Sequence, residues 1–352
     1  MNNERSGLYF HIPFCKSKCP YCDFYSVKFD EASAQQYVQE ICNEIKQYQG
    51  IFDTVYFGGG TPSILPPELI GKILDCARAQ FEISDDAEIT VECNPSKDLS
   101  EDFKKYASYG VNRISVGMQS AVDSERFALG RVAGKNEVER TINYARQSGI
   151  ENISLDLMLG TPKQTIESLD YSFDFIKSVG VPHVSAYMLK IEEGTKFFQM
   201  RDRLVLPDDD TVGEMYLKTV ETLASFGIEQ YEISNFAVPG FESRHNTKYW
   251  TLTPYLGIGK SAHSFWGGKR FFYDREWNKI DDGTGGDKEE QIMLGLRLAK
   301  GIDKSLVDRD CTDLVKMGYV ADLGERIALT PKGMLAVSYT HLRAHETGAY
   351  LV

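Results

Sequence analysis

Hydrophobic and polar positions alternate between two textures along this chain. Four segments, 34–49, 66–80, 135–148 and 166–179, place apolar residues three and four apart, which gathers them on one face of a helix. Between them run short apolar stretches with strand character: 8–12, 54–57, 88–91, 113–116, 153–155 and 183–186. Regular alternation of the two predicts βαβ units and a parallel sheet. Six strands by Tyr187 predict an α/β fold, a partial (β/α)6 barrel. An open doubly wound sheet is the alternative. Both architectures collect ligands at the carboxyl ends of the strands.

The residues at those ends follow one theme. The second strand runs into Gly58-Gly59-Gly60-Thr61-Pro62, the third into Glu92 and then Asn94-Pro95. The fourth runs into Gly117-Met118-Gln119-Ser120, the fifth into Asp156, and the sixth into Tyr187. Polar or backbone-exposing residues in step on five strands predict one shared pocket. Three glycines can be merely a loop. After a strand and before a helix, they also let backbone amides approach a ligand. No lysine of a phosphate-binding loop accompanies them, so a nucleoside triphosphate site is not expected.

The first strand leads into Cys15-Lys-Ser-Lys-Cys19-Pro-Tyr-Cys22. Thiolates this close repel one another unless a positive charge holds them. An iron–sulfur cluster suits three such ligands and keeps one iron open. Structural zinc wants a fourth ligand, His11 or a distant residue, and unmetallated thiols are the remaining reading. A disulfide is not expected, because Met1 to Gly7 lacks the apolar run of a signal peptide. Cys42, Cys76, Cys93 and Cys311 are scattered, and the first two read as core fillers. The expected compartment is the reducing cytoplasm.

After Lys190 the texture changes. Residues 191–270 hold Tyr231-Glu232-Ile233-Ser234-Asn235-Phe236, then His245-Asn246-Thr247-Lys248-Tyr249-Trp250. The second string is ambiguous. It offers a histidine and flat aromatic surface to a haem, or a hydrogen-bonded core histidine. His263 reads as a packed histidine near a sheet edge. Residues 271–337 predict two helices, 289–298 and 306–317, and a hairpin turning at Gly324, together a winged-helix-like α+β module. From Ser338 the text resembles translated adaptor sequence, so His341 and His345 are excluded from function. The predicted divisions are therefore 1–190, 191–270, 271–337 and a non-native tail, 338–352.

Composition narrows the partners. A length of 352 residues accommodates a barrel-sized domain and a smaller one, and the net charge of −12 argues against nucleic acid or an anionic membrane surface. No apolar run is long enough to span a bilayer.

The run His11-Ile12-Pro13-Phe14-Cys15…Cys19…Tyr21-Cys22-Asp23-Phe24 resembles the cluster loop of the radical S-adenosylmethionine superfamily. It is most similar to the branch of oxygen-independent coproporphyrinogen dehydrogenases and HemW-type haem chaperones. The resemblance implies a [4Fe-4S] cluster on Cys15, Cys19 and Cys22, with S-adenosylmethionine on its open iron. It implies cofactor contacts from Tyr9 and Tyr21, from Gly59, Gly60 and Thr61 at the methionyl end, and from Glu92 at the cationic end. Gln119, Arg131 and Asp156 would fix the carboxylate and ribose, and Met188 would touch the adenine. A salt-bridge network at the barrel mouth is the plainer reading of Glu92, Arg131 and Asp156. His245-Asn246-x-x-Tyr249-Trp250 matches the HNxxYW motif associated with haem handling in that branch. The porphyrinogen enzymes carry a cysteine where this chain has Phe24, and a long N-terminal extension where this chain has few residues before Tyr9. Both differences favour a haem chaperone that serves respiratory haemoproteins, with peripheral membrane contact and a homodimer as further expectations. The alternatives are radical decarboxylation of a porphyrinogen and a zinc-stabilised scaffold.

Overall fold

In the computed structural model, residues 5–95 and 98–343 are described. Among them one sheet holds 12 strands. In chain order these are β1 Ser6–Ile12, β2 Ile51–Gly59, β3 Glu82–Cys93, β4 Arg113–Gln119, β5 Asn152–Leu159 and β6 His183–Met188. Then come β7 Glu229–Glu232, β8 Asn235–Ala237, β9 Tyr255–Ile258, β10 His263–Trp266, β11 Lys269–Tyr273 and β12 Lys279–Thr284. Their spatial order is β12-β11-β10-β9-β1-β2-β3-β4-β5-β6-β8-β7. From β1 to β6 each strand lies parallel beside its predecessor. That singly wound order is the barrel order, since a doubly wound sheet reverses direction partway. The two ends, β12 and β7, stay unjoined, so the barrel is partial.

The helices Glu31–Ile45, Pro67–Gln80, Lys135–Gln147 and Ile166–Val179 form where the apolar spacing predicts them. Local chemistry sets their ends. Asp30 accepts the Ser33 amide at the start of the first, and Thr165 and Ser168 cap the last reciprocally. The first helix stops at Ile45, short of the expected 49, and a turn follows.

Strand alternation divides the sheet's two faces. Leu8, Phe10, Val55, Phe57, Ile89, Val91, Ile114, Val116, Ile153, Leu155 and Val184 point outward and form one core with the helices. The inner positions are mostly polar: Thr54, Glu88, Thr90, Arg113, Ser115, Ser154, His183 and Ser185 are all buried there. The barrel therefore rests on its outer apolar layer and encloses a polar lumen.

Two features fall outside the sequence reading. A helix at Asp209–Ser225, capped by Asp208, packs against the Ile166–Val179 helix. Strand β9 runs parallel to β1 and extends the sheet into the region expected to lie beyond the barrel. The expected divisions after residues 190 and 270 thus both fall within this one sheet.

The tail holds helices Lys288–Gly295 and Thr312–Lys316, a hairpin of Val320–Asp322 with Arg326–Leu329, and a closing helix Pro331–Arg343. Gly324 turns the hairpin at φ +85. The second expected helix is shorter than 306–317: it runs Thr312–Lys316, with the Thr312 amide bonded to Asp310 just before it. His345 lies outside the described residues, as do the side chains of residues 339–343. No helix among the described residues is long and apolar enough to cross a membrane.

Candidate functional site

The cluster loop leaves β1 and returns as a small parallel pair, Phe14–Cys15 with Val27–Lys28. Cys15, Cys19 and Cys22 are all half-buried and unbridged. Burial pushes the Cys22 thiol up to about 11, so a thiolate here calls for a compensating cation. An iron–sulfur cluster would supply that charge. A zinc ion would need three or four donors drawn close together. Among the described residues, no three His, Cys, Asp or Glu side chains are grouped to hold a single ion. His11, the candidate fourth zinc ligand, is spent elsewhere. Its Nε2 donates to the Tyr25 carbonyl at 3.2 Å and its Nδ1 accepts from the Tyr9 hydroxyl at 3.1 Å.

The glycine run seats the loop against the barrel. The Gly60 amide donates to the Ile12 carbonyl and the Thr61 amide to that of Phe14, each at 2.9 Å. A Cβ on Gly60 would lie 2.8 Å from the Phe14 carbonyl oxygen. On Gly59, at φ +108, it would lie 2.5 Å from the His11 ring. These glycines are required by the chain's own packing before any ligand is considered.

A hydrogen-bonded chain rims the loop. The Thr61 hydroxyl stands 3.5 Å from Cys15 Sγ and accepts from Asn94 Nδ2 at 2.9 Å. Arg131 donates from Nη1 to Asn94 Oδ1 and from Nη2 to the Tyr21 hydroxyl at 2.8 Å. Arg131 Nε is buried without a partner. Just inside stand two half-buried carboxylates. Glu92 accepts from the Tyr56 hydroxyl at 2.9 Å and the Gly59 amide at 3.2 Å. Asp156 accepts from Ser115 Oγ at 3.1 Å. Burial, and then Asp156, raise Glu92 to about 7; burial raises Asp156 to about 6. The salt-bridge alternative is not realised, since neither carboxylate has an ion pair among the described residues. Two carboxylates without an ion pair, beside an arginine with a spare donor, fit a ligand carrying both a cation and a carboxylate, as S-adenosylmethionine does.

Gln119 is buried nearby at φ +69, a backbone region that costs a non-glycine residue about 1–3 kcal/mol. Met188 ends β6 and packs half-buried against the core. Tyr9 points into the lumen, stacked on Tyr56. The residues missed by sequence reading are Tyr56 and Ser115; the sequence places Asn94 at the pocket's rim without a role. The period-two alternation that puts Tyr56 beside Gly58, and Ser115 beside Gly117, was the available signal.

The HNxxYW residues lie beneath this mouth, joined to it where the His245 ring stacks on Tyr56 at 5.1 Å. They lie on the helix Arg244–Trp250, which closes the opposite, amino-terminal end of the lumen. Glu88 receives the Arg244 and His245 amides, each at 3.1 Å. His245 is 0 % exposed. Its Nδ1 pairs with the Thr54 hydroxyl at 2.8 Å and its Nε2 with the Tyr249 hydroxyl at 2.9 Å. Burial lowers its pKa to about 3, which keeps it neutral. Asn246 is half-buried, and the buried Trp250 lies under the Arg297 guanidinium at 4.2 Å. In this structure both ring nitrogens of His245 are engaged and the residue is fully buried. His263 does pack as expected, stacked on Phe272 at 5.0 Å.

The Radical SAM superfamily pattern matches residues 9–176. A curated relative from Bacillus subtilis, "Heme chaperone HemW", is 34% identical over 94% of this chain and 96% of its own length. The protein of the same name from Escherichia coli is 39% identical over 73% of this chain and 69% of its own length. Among solved structures, the radical SAM coproporphyrinogen III oxidase HemN of Escherichia coli superposes with a TM-score of 0.78. At 22% identity, covering 96% of this chain and 89% of that one, it speaks for the fold. This chain belongs to the radical S-adenosylmethionine superfamily and, within it, to the HemW heme chaperone family.

Proposed function

We propose that this chain is a cytoplasmic haem chaperone, holding haem beside a [4Fe-4S] cluster and S-adenosylmethionine and passing it to respiratory haemoproteins. Cys15, Cys19 and Cys22 would carry the cluster. Glu92 would face the cationic end of S-adenosylmethionine, Arg131 and Gln119 its carboxylate, and Asp156 its ribose. When bound, this pair supplies one-electron chemistry at a sulfonium. The protein's part is to seat the loop on the glycine run, orient Arg131 through Asn94 and Tyr21, and keep water from the carboxylates.

What carries the choice of chaperone over porphyrinogen enzyme is the full-length likeness, 34% identical, to a relative named as a heme chaperone. Phe24 supports it, standing exposed where the enzymes carry a further cysteine. Around the mouth, Phe24, Phe127, Val132 and Met200 expose apolar surface, Phe127 by 84% and Val132 by 99%. These segments adjoin the cluster loop, since Arg131 bonds Tyr21 and the Phe197 amide bonds the Pro20 carbonyl. They give a flat apolar ligand a seat at the rim. The HNxxYW helix enters this reading as the support beneath the barrel; direct haem contact by His245 would require that helix to leave it.

The test is haem titration of the anaerobically reconstituted protein, run beside a coproporphyrinogen turnover assay. Stoichiometric haem binding without turnover is expected. Turnover without stable haem binding would establish the enzyme instead.

A further inference from the structure

The polar lumen holds a buried charge beneath the mouth whose guanidinium bonds neither mouth carboxylate. Arg113 lies on the inner face of β4 and is 1% exposed. Its register partners are Thr90 on β3 and Asn152 on β5, so the three side chains share one level of the lumen. Among the described residues, the Arg113 guanidinium has no hydrogen bond and no ion pair. Its Nε, Thr90 Oγ1 and Asn152 Oδ1 are all buried without partners.

Other groups at this depth are already engaged. His183 bonds Ser154 and Tyr231, His245 bonds Thr54 and Tyr249, and Glu88 caps the Arg244–Trp250 helix. Of the lumen carboxylates, Glu88 lies two residues below this level and is committed to the helix amides, while Glu92 and Asp156 stand toward the mouth, where the Arg113 charge favours their ionised forms. Glu92 is level with Ser115 and Asp156 with Gly117, roughly 7 and 13 Å along the strand from Arg113 at about 3.3 Å per residue. A fully buried guanidinium left without an acceptor is strongly unfavourable. A chain that keeps one at the centre of its barrel has an acceptor for it.

We infer that Arg113 is the base of an anion site inside the barrel that takes one carboxylate, from a small carboxylic acid or from the acidic side arm of a larger ligand seated at the mouth. The planar guanidinium grips a carboxylate through two parallel bonds. The Thr90 hydroxyl turns to donate a third. Asn152 Oδ1 takes its proton from a water held on the same anion. This site lies below Glu92 and Asp156, the carboxylates that would face a cation at the mouth.

The probes are formate and acetate, titrated calorimetrically into the whole protein at constant ionic strength, and haem compared with haem dimethyl ester. Saturable binding of one formate or acetate per chain is expected, weakened at least about tenfold in Arg113→Met and partly kept in Arg113→Lys. If esterification and Arg113→Met weaken haem binding alike, the carboxylate is a haem side arm. If haem and its ester bind equally while formate binds, the site serves free small acids. The formate arm is independent of the haem reading, so the two can fail separately. The inference is overturned if wild-type protein binds neither formate nor acetate and does not distinguish haem from its ester. It is equally overturned if crystals soaked in formate show only water on Arg113. Both readings use wild-type protein and stand even where Arg113→Met does not fold.

Discussion

Replacing His245 with alanine should unfold the barrel's closure before it touches haem chemistry. The substitution leaves the Thr54 hydroxyl and the Tyr249 hydroxyl, now 2.8 and 2.9 Å from the ring nitrogens, without partners. Each orphaned buried group costs about 1–3 kcal/mol, and the cavity left by the ring adds about 2 kcal/mol. The sum, about 4–8 kcal/mol, is a large part of the ~5–15 kcal/mol that holds a typical protein folded. Denaturant unfolding of the haem-free protein measures it directly. Thr54→Val and Tyr249→Phe each remove one partner and should cost about 1–3 kcal/mol. The pH dependence adds a signature. Burial lowers His245 from 6.5 to about 3, so below 6.5 the unfolded chain takes up a proton that the folded chain refuses. Its contribution is complete above that value and shrinks as pH falls, so the wild-type advantage over the variant should narrow on acidification. Haem-free His245→Ala as stable as wild type, with an altered Soret band at saturating haem, would refute this reasoning and restore His245 as a haem ligand.

Glu92 is raised to about 7 by burial, so its carboxylate forms only as pH rises through neutrality. Binding of S-adenosylmethionine should therefore strengthen from about pH 6 to about pH 8, and Glu92→Gln should bind more weakly with a flat profile in calorimetry. Gly59→Ala forces a methyl to within 2.5 Å of the His11 ring at φ +108; it should lower stability by more than about 1 kcal/mol, and an unchanged melting temperature would contradict that packing. Asn94→Ala cuts the link between Thr61 and Arg131; cluster content should stay the same while S-adenosylmethionine affinity drops about tenfold, about 1.4 kcal/mol.

Apolar spacing made the barrel legible. The Ile166–Val179 helix and the start of β4 at Arg113 fall where the periodicity puts them. The shared mouth was legible too, because strand-end residues lie in step: the Gly59 amide donates to Glu92 from the neighbouring strand. The role of the HNxxYW helix was not. A histidine among aromatics looks alike in sequence whether it meets a ligand or a hydroxyl, and one of the hydroxyls that His245 meets here, Thr54, lies 191 residues away in the chain. Strand β9 was missed because four residues around Gly257 show no period. Its place depends on β1, some 250 residues earlier. The helix Asp209–Ser225 was missed because its buried face includes Gly213 and Thr219, which carry little apolar signal. Arg113 lay within a predicted strand, yet sequence alone could not show that its neighbours supply it no acceptor.

The central claim is that Cys15, Cys19 and Cys22 hold an iron–sulfur cluster with one iron free for S-adenosylmethionine. The most direct test is anaerobic reconstitution, followed by iron and sulfide analysis and electron paramagnetic resonance of the reduced protein with and without S-adenosylmethionine. The account predicts a [4Fe-4S] signal that shifts when S-adenosylmethionine is added and is absent from Cys15→Ser. Folded protein that binds zinc, or iron without sulfide, or whose cluster signal ignores S-adenosylmethionine, would contradict it.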